Sequence, residues 1–183
     1  YLWSTGATTQ AITVSAAGNY SVTATANGCS ATSAPTAVTL QATPSAAVTA
    51  GGATSFCQGG SVTLTAASAG SYLWSNGANT QSITVTAGGS YSVNVSTNGC
   101  SATSTPTVVS ILPSPTAIIT NTGSTTFCAG GSVVLNAPTA PTGSTFTYVW
   151  RLNGNPITGA TAQTLTANAA GAYSLVVTNN QGC

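Results

Sequence analysis

The sequence predicts an all-β protein: small antiparallel β-sandwiches following one another in a rod-like tandem array. Three observations carry that expectation. β-Branched and other apolar residues alternate with Ser and Thr over short runs, the period of half-buried strands. Turn signals such as Asn76-Gly77 and Asn98-Gly99 separate these runs at intervals of about 8–12 residues, with no helical period between them. The text also repeats: Tyr1 returns as Tyr72, Trp3 as Trp74, Tyr20 as Tyr91, Cys29 as Cys100 and Cys57 as Cys128, each 71 residues on. A period that long, with a full apolar set in each copy, indicates tandem domains rather than a solenoid.

Boundaries follow from the repeat. Residues 1–41 read as the C-terminal part of one unit, 42–112 as a complete unit, and 113–183 as a third that lacks its last strand. Tyr148-Val149-Trp150 marks the core strand of the more diverged third copy. In the complete unit Val62, Leu64 and Ala66 alternate with Ser61, Thr63 and Thr65 as a first core strand. Tyr72 and Trp74 share one face of the next, which stops at Asn76-Gly77. Ile83 and Val85 alternate with Ser82, Thr84 and Thr86; Gly89-Ser90-Tyr91 then leads into Val93 and Val95, and Asn98-Gly99 turns the chain. Val108, Val109 and Ile111 supply the last strand before the Pro113-Ser114-Pro115 linker.

Composition excludes several kinds of chemistry. The 183 residues contain no Asp, Glu or His and one basic residue, Arg151, for a net charge of +1. General acid–base catalysis draws on His or a carboxylate, Ca²⁺ on carboxylate oxygens, and nucleic acid on a cationic surface. The expectation is therefore a non-enzyme with no cofactor, no metal and no nucleic-acid partner. Arg151 follows Trp150, so alternation points it outward as a solvated side chain. No apolar run approaches the length of a membrane span. Ser and Thr fill roughly a third of the chain, but an ordinary apolar share of 42% and the alternation speak against a disordered stalk. Five cysteines at recurrent places in small domains point to disulfides and an extracellular, cell-surface location.

Gly59-Gly60-Ser61-Val62-Thr63-Leu64-Thr65-Ala66, then Trp74, then Gly89-Ser90-Tyr91-Ser92-Val93 resemble the immunoglobulin-like framework. There strand B reads V-x-L-x-C, strand C carries a buried Trp, and strand F reads G-x-Y-x-C. On that match Ala66 and Val93 stand at the two positions of the usual inter-sheet disulfide, so the pin between the sheets is apolar. Phe127-Cys128-Ala-Gly-Gly-Ser, the run from Tyr72 to Val85, Asn98-Gly-Cys-Ser and Trp150-Arg-Leu-Asn-Gly resemble, more narrowly, the Ig-like or PKD-like repeats of very large Bacteroidetes surface proteins. Those include gliding adhesins and type IX-secreted proteins. The likeness covers essentially the whole chain and is specific for the domain type.

The resemblance implies that Trp3, Trp74 and Trp150 are strand-C core residues rather than sugar-stacking platforms, since all three recur at one framework position. It likewise places Tyr20, Tyr91 and Tyr173 at the tyrosine-corner position, as core rings whose hydroxyls find backbone partners. Two cysteine classes recur, one before strand B (Cys57, Cys128) and one after strand F (Cys29, Cys100, Cys183). Pairing within a unit would give Cys57–Cys100 and Cys128–Cys183. In the resembled topology, however, B and F run the same way on facing sheets, which puts the two classes at opposite ends of a sandwich. An inter-domain Cys57–Cys183 bond then fits better, with the partners of Cys29, Cys100 and Cys128 outside this sequence.

Function is expected to be structural: a stalk or filament segment of a large secreted surface protein, giving reach and stiffness. Its partners would be neighbouring repeats of the same chain or laterally packed copies, with glycans as further candidates. The alternative is an adhesive module that binds polysaccharide or another cell through its loops. With no side chain that titrates between about pH 4.5 and 7 and no ion pairs, the melting temperature should stay flat across that range and from low to high salt. Thermal melts at both extremes check this; a steep slope in either would contradict it.

Overall fold

A computed structural model describes residues 1–183 as twenty strands and no helix. The fold is all-β, and its sheets fall into three groups that match the repeat, because no strand ladder crosses residue 41/42 or 112/113.

Residues 1–41 hold β1 (Leu2–Trp3), β2 (Gly18–Tyr20), β3 (Val22–Ala26), β4 (Cys29–Thr32) and β5 (Thr36–Val38). β3 pairs with β1 and β4, and β2 with β5, all antiparallel. None of the chain's 16 buried residues lies here. An apolar cleft of about 410 Å³ stays open over Trp3, Ile12, Val14 and Val22. Trp3 is half-buried.

The second unit comprises β6 (Val48–Ala50), β7 (Ser55–Cys57), β8 (Val62–Ala66), β9 (Ser71–Trp74), β10 (Ser82–Val85), β11 (Gly89–Tyr91), β12 (Val93–Thr97), β13 (Cys100–Thr103) and β14 (Thr107–Leu112). One sheet runs β6-β8-β10; the other runs β9-β12-β13 and continues through β11-β14-β7. All pairs are antiparallel except β7 with β14. The alternation read from sequence decides the core: Val62, Leu64, Ala66, Ile83 and Val85 of the first sheet meet Trp74, Val93, Val95 and Val109 of the second. Ala66 and Val93, at the positions where the framework usually carries a disulfide, are both buried in the same apolar core. Removing a side chain such as Leu64, fully buried, would cost about 2–5 kcal/mol.

Polar groups inside this sandwich are satisfied locally. Trp74 Nε1 donates to the Thr80 carbonyl at 2.8 Å, and Gln81 Nε2 to the Ala66 carbonyl at 3.2 Å. The last two long strands both break midway, at Ser92 and at 104–106. Serine hydroxyls bridge the gaps: Ser75 Oγ accepts from the Ser92 N–H at 3.2 Å, and Ser104 Oγ accepts from the Val93 N–H at 3.0 Å. On the outer face, hydroxyls pair across strands, Thr63 with Thr84 at 3.3 Å and Thr65 with Ser82 at 3.0 Å. These take the place that ion pairs hold on a charged sheet.

The third unit has β15 (Thr120–Thr122), β16 (Val133–Asn136), β17 (Phe146–Leu152), β18 (Asn155–Pro156), β19 (Thr164–Ala167) and β20 (Tyr173–Asn179). Its sheets are β15-β16-β19 and β18-β17-β20. The core of Val133, Leu135, Ala137, Tyr148, Trp150, Ala167 and Val177 repeats that of the second unit, with Trp150 fully buried and its Nε1 donating to the Ala162 carbonyl at 2.9 Å.

The tyrosines need a correction. Tyr20, Tyr91 and Tyr173 are half-buried rather than fully enclosed, and Tyr91 and Tyr173 pack against the two cores. Each hydroxyl donates to a carbonyl four residues upstream, Ala16 at 2.9 Å, Ala87 at 3.0 Å and Ala169 at 3.0 Å. That bond holds the ring over the strand's entry, at the edge of the sandwich. Arg151 is also half-buried instead of fully solvated: Nη1 donates to the Gly154 carbonyl at 3.3 Å, while Nε is shielded without a partner.

Ser104→Ala would strip the buried Val93 N–H of its acceptor and should lower the unfolding free energy by about 1–3 kcal/mol. Ser101→Ala, on an exposed position of the same strand, should change it by less than about 0.5 kcal/mol. Urea denaturation of both variants is the test; equal losses would show that the bridging hydroxyl contributes nothing.

Candidate functional site: the Cys57–Cys183 junction

The feature that sets this chain apart from three separate sandwiches is covalent. Cys57 ends β7, the strand that lies parallel to the end of the second unit's last strand, with Cys57 level with Leu112. The Gln58 N–H donates to the Leu112 carbonyl at 3.3 Å, and the Gly60 N–H to the Cys57 carbonyl at 2.9 Å. The turn between them has no room for a side chain at Gly60, where a Cβ would lie 2.9 Å from Phe56 Cδ2 and 3.1 Å from the Cys57 carbonyl. Phe56-Cys57-Gln58-Gly59-Gly60 thus holds the Cys57 sulfur at the outlet of the second unit.

From the third unit comes Cys183, just after β20. Asn179 builds the turn that carries it. Its N–H donates to the Cys183 carbonyl at 2.8 Å, and its Oδ1 accepts from the N–H groups of Gln181 at 3.1 Å and Cys183 at 2.9 Å. Its Nδ2 reaches the linker, donating to the Pro113 carbonyl at 2.9 Å. The sulfurs of Cys57 and Cys183 are bonded, with Cα atoms 5.4 Å apart and a sequence separation of 126. One bond therefore joins the second unit to the third, beside the linker that already connects them.

The within-unit alternative does not form. Cys29, Cys100 and Cys128 are free thiols. The reason is distance along one strand course: Cys100 begins β13, whereas Cys57 lies level with Leu112 at the far end of β14. That course, at ~3.3 Å per residue, is at most about 40 Å, far beyond disulfide reach. Cys100 instead lies at the other boundary of its unit, its sulfur 3.9 Å from the Gln41 carbonyl. Cys29 and Cys128 are exposed.

Of the residues singled out from sequence, the fold brings together Cys57 and Cys183 and disperses the rest. Trp74 and Trp150 are locked inside separate cores with satisfied indoles, and the tyrosines are edge clamps. Asn179 is the organising residue that sequence reading missed. Its only signal is a three-residue loop, 180–182, before Cys183, where Asn98-Gly99 makes a two-residue turn before Cys100. No three His, Cys, Asp or Glu side chains come together, and no helix is long and apolar enough to cross a membrane.

Non-reducing chymotryptic mapping should recover the Cys57 and Cys183 peptides as one species. Cys183→Ser should remove roughly 2–5 kcal/mol of stability, since a closed loop this long restrains the unfolded chain strongly. Calorimetry should then resolve the two units as separate transitions; an unchanged melt would mean that the bond couples nothing.

Comparison with protein-family models finds no match for this chain, and comparison with curated proteins finds none either.

Proposed function

We propose that the chain is a structural segment, a stalk or filament of Ig-like modules in a large secreted bacterial surface protein, whose work is reach and stiffness. The observation that supports this reading most is the Cys57–Cys183 bond. A flexible linker leaves neighbouring domains free to rotate, whereas a second covalent connection beside the linker limits that freedom. The residue types fit the same reading. A surface of Ser and Thr with cross-strand hydroxyl pairs offers no nucleophile–base pair and no charged groove, and a disulfide is compatible with an extracellular setting. The likeness to Bacteroidetes surface repeats supplies the type of protein in which such a segment would sit.

The adhesive alternative draws no support from Trp74 and Trp150, whose ring faces are packed inside the sandwiches.

Small-angle scattering on the oxidised and reduced protein tests the proposal. The oxidised chain should give a narrow distance distribution with one maximum dimension, and reduction should broaden it. Equal breadth in both states would remove stiffness as the role of the bond. Specific retention on a glycan array would favour adhesion instead.

A further inference from the structure

Proteases that select a cationic side chain have one target here, since the 183 residues hold no Lys and a single Arg, Arg151. Such an enzyme must draw that side chain into an anionic pocket and take the backbone on both sides into its cleft as an extended segment. The folded third unit allows neither. Arg151 lies in β17, the middle strand of its sheet, level with Pro156 of β18 and Ser174 of β20. Its guanidinium is folded onto the turn that follows, with Nη1 on the Gly154 carbonyl at 3.3 Å and Nε shielded. On one side of the target bond Trp150 is fully buried. On the other, Leu152 lies against Gly171, where a Cβ would come within 2.6 Å of Leu152 Cδ1. Asn153 closes the turn: its N–H donates to the Ala172 carbonyl at 2.8 Å, and its Oδ1 accepts from the Ala172 N–H at 2.9 Å. Freeing the Arg151–Leu152 bond therefore means stripping β17 from both neighbours, which opens the core around Trp150.

That same peptide bond lies inside the covalent loop closed by Cys57 and Cys183. We propose that the third unit and the disulfide form a two-stage guard against severance by Lys/Arg-selective endoproteases. The fold hides the one site, and the disulfide keeps the chain continuous when that site is cut. Hydrolysis of the Arg151–Leu152 bond adds one water, leaving a carboxylate on Arg151 and an amine on Leu152. No electrons change hands, so the sulfur–sulfur bond is untouched. The pieces 1–151 and 152–183 then remain joined through Cys57 and Cys183. The bypass extends further than Arg151: a single cut at any of the 126 peptide bonds between the two cysteines leaves Tyr1 connected to Cys183. The stretch 1–56, which the disulfide does not bypass, holds no Lys or Arg. Covalent continuity of this kind is independent of the stalk reading, because it requires no stiffness.

The probe is trypsin, applied to the oxidised full chain with its free thiols alkylated, in native buffer and in enough urea to unfold the third unit. Cleavage follows the opened fraction, so the native chain should survive at least about a hundredfold longer than the unfolded one. The product made in urea should run as one species without reductant, heavier than the intact chain by one water. Reduction should split it into 1–151 and 152–183. Cys183→Ser, treated identically in urea, should release 152–183 without reductant; because this variant is read unfolded, its ability to fold does not enter. Native cleavage as fast as cleavage in urea would overturn the first stage. Release of 152–183 from the oxidised wild-type chain, or its retention in the Cys183→Ser variant, would overturn the second.

Discussion

Each closed sandwich depends on burying one indole without stranding its N–H. Trp74 and Trp150 fill the space between two sheets, and each donates to a carbonyl of the loop that passes over it, Thr80 in one unit and Ala162 in the next. The loop is fixed as a consequence, and with it the strand that follows. The next residue in each loop, Gln81 or Gln163, then reaches back to the carbonyl of Ala66 or Ala137 at the end of the opposite strand. A core this small has few large side chains, so one well-satisfied tryptophan sets the spacing of both sheets. In residues 1–41 the half-buried Trp3 makes the same bond, to the Thr9 carbonyl at 2.8 Å. The indole bond is thus a local feature of each of the three units.

Near-absence of charge is the second constraint. Most β-proteins guard sheet edges and decorate faces with Lys and Glu. Here neutral hydroxyls pair across strands, and serines span the points where long strands break. Ser4 and Ser33 repeat in the first unit what Ser75 and Ser104 do in the second, and Asn153 does the same for the Ala172 N–H in the third. These bonds are weakly sensitive to ionic conditions and strict about geometry, because each is one short side chain acting on one backbone group.

Much of this was legible in the sequence, for reasons that can be stated. Alternation from Val62 to Ala66 and from Ile83 to Val85 reports burial directly, because side-chain direction in a strand follows sequence position. The Asn98-Gly99 turn is equally direct: Asn98 and Gly99 take φ values of 50° and 80°, which the two-residue hairpin demands. The tyrosines were harder. A recurrent aromatic reads as core and its hydroxyl as backbone-bonded, but nothing in Tyr91 itself says that the acceptor is the carbonyl of Ala87 or that the ring stays half-exposed against the core. Arg151 was misread because alternation gives a direction but not the loop of Asn153 and Gly154 that folds over its stem. The cysteine pairing needed topology, since only the run of β13 and β14 separates Cys100 from Cys57. Asn179 could not have been found at all from spacing; its role exists only once the linker carbonyl of Pro113 lies beside it.

The disulfide also changes the mechanics of the chain. Tension that enters from the N-terminal side and leaves through Cys183 travels down to Cys57 and then across the sulfur–sulfur bond. The 125 residues from 58 to 182 lie on a closed covalent loop outside that path. Unravelled, they would span about 400 Å at ~3.3 Å per residue, and the bond withholds all of that length from the pull. Both tryptophan cores lie within the loop, so neither can be drawn out from the ends of the chain while the bond is intact. Under load the molecule is as long as its shortest covalent route, and beyond β7 that route crosses from the second unit to Cys183 without passing through the rest of either sandwich.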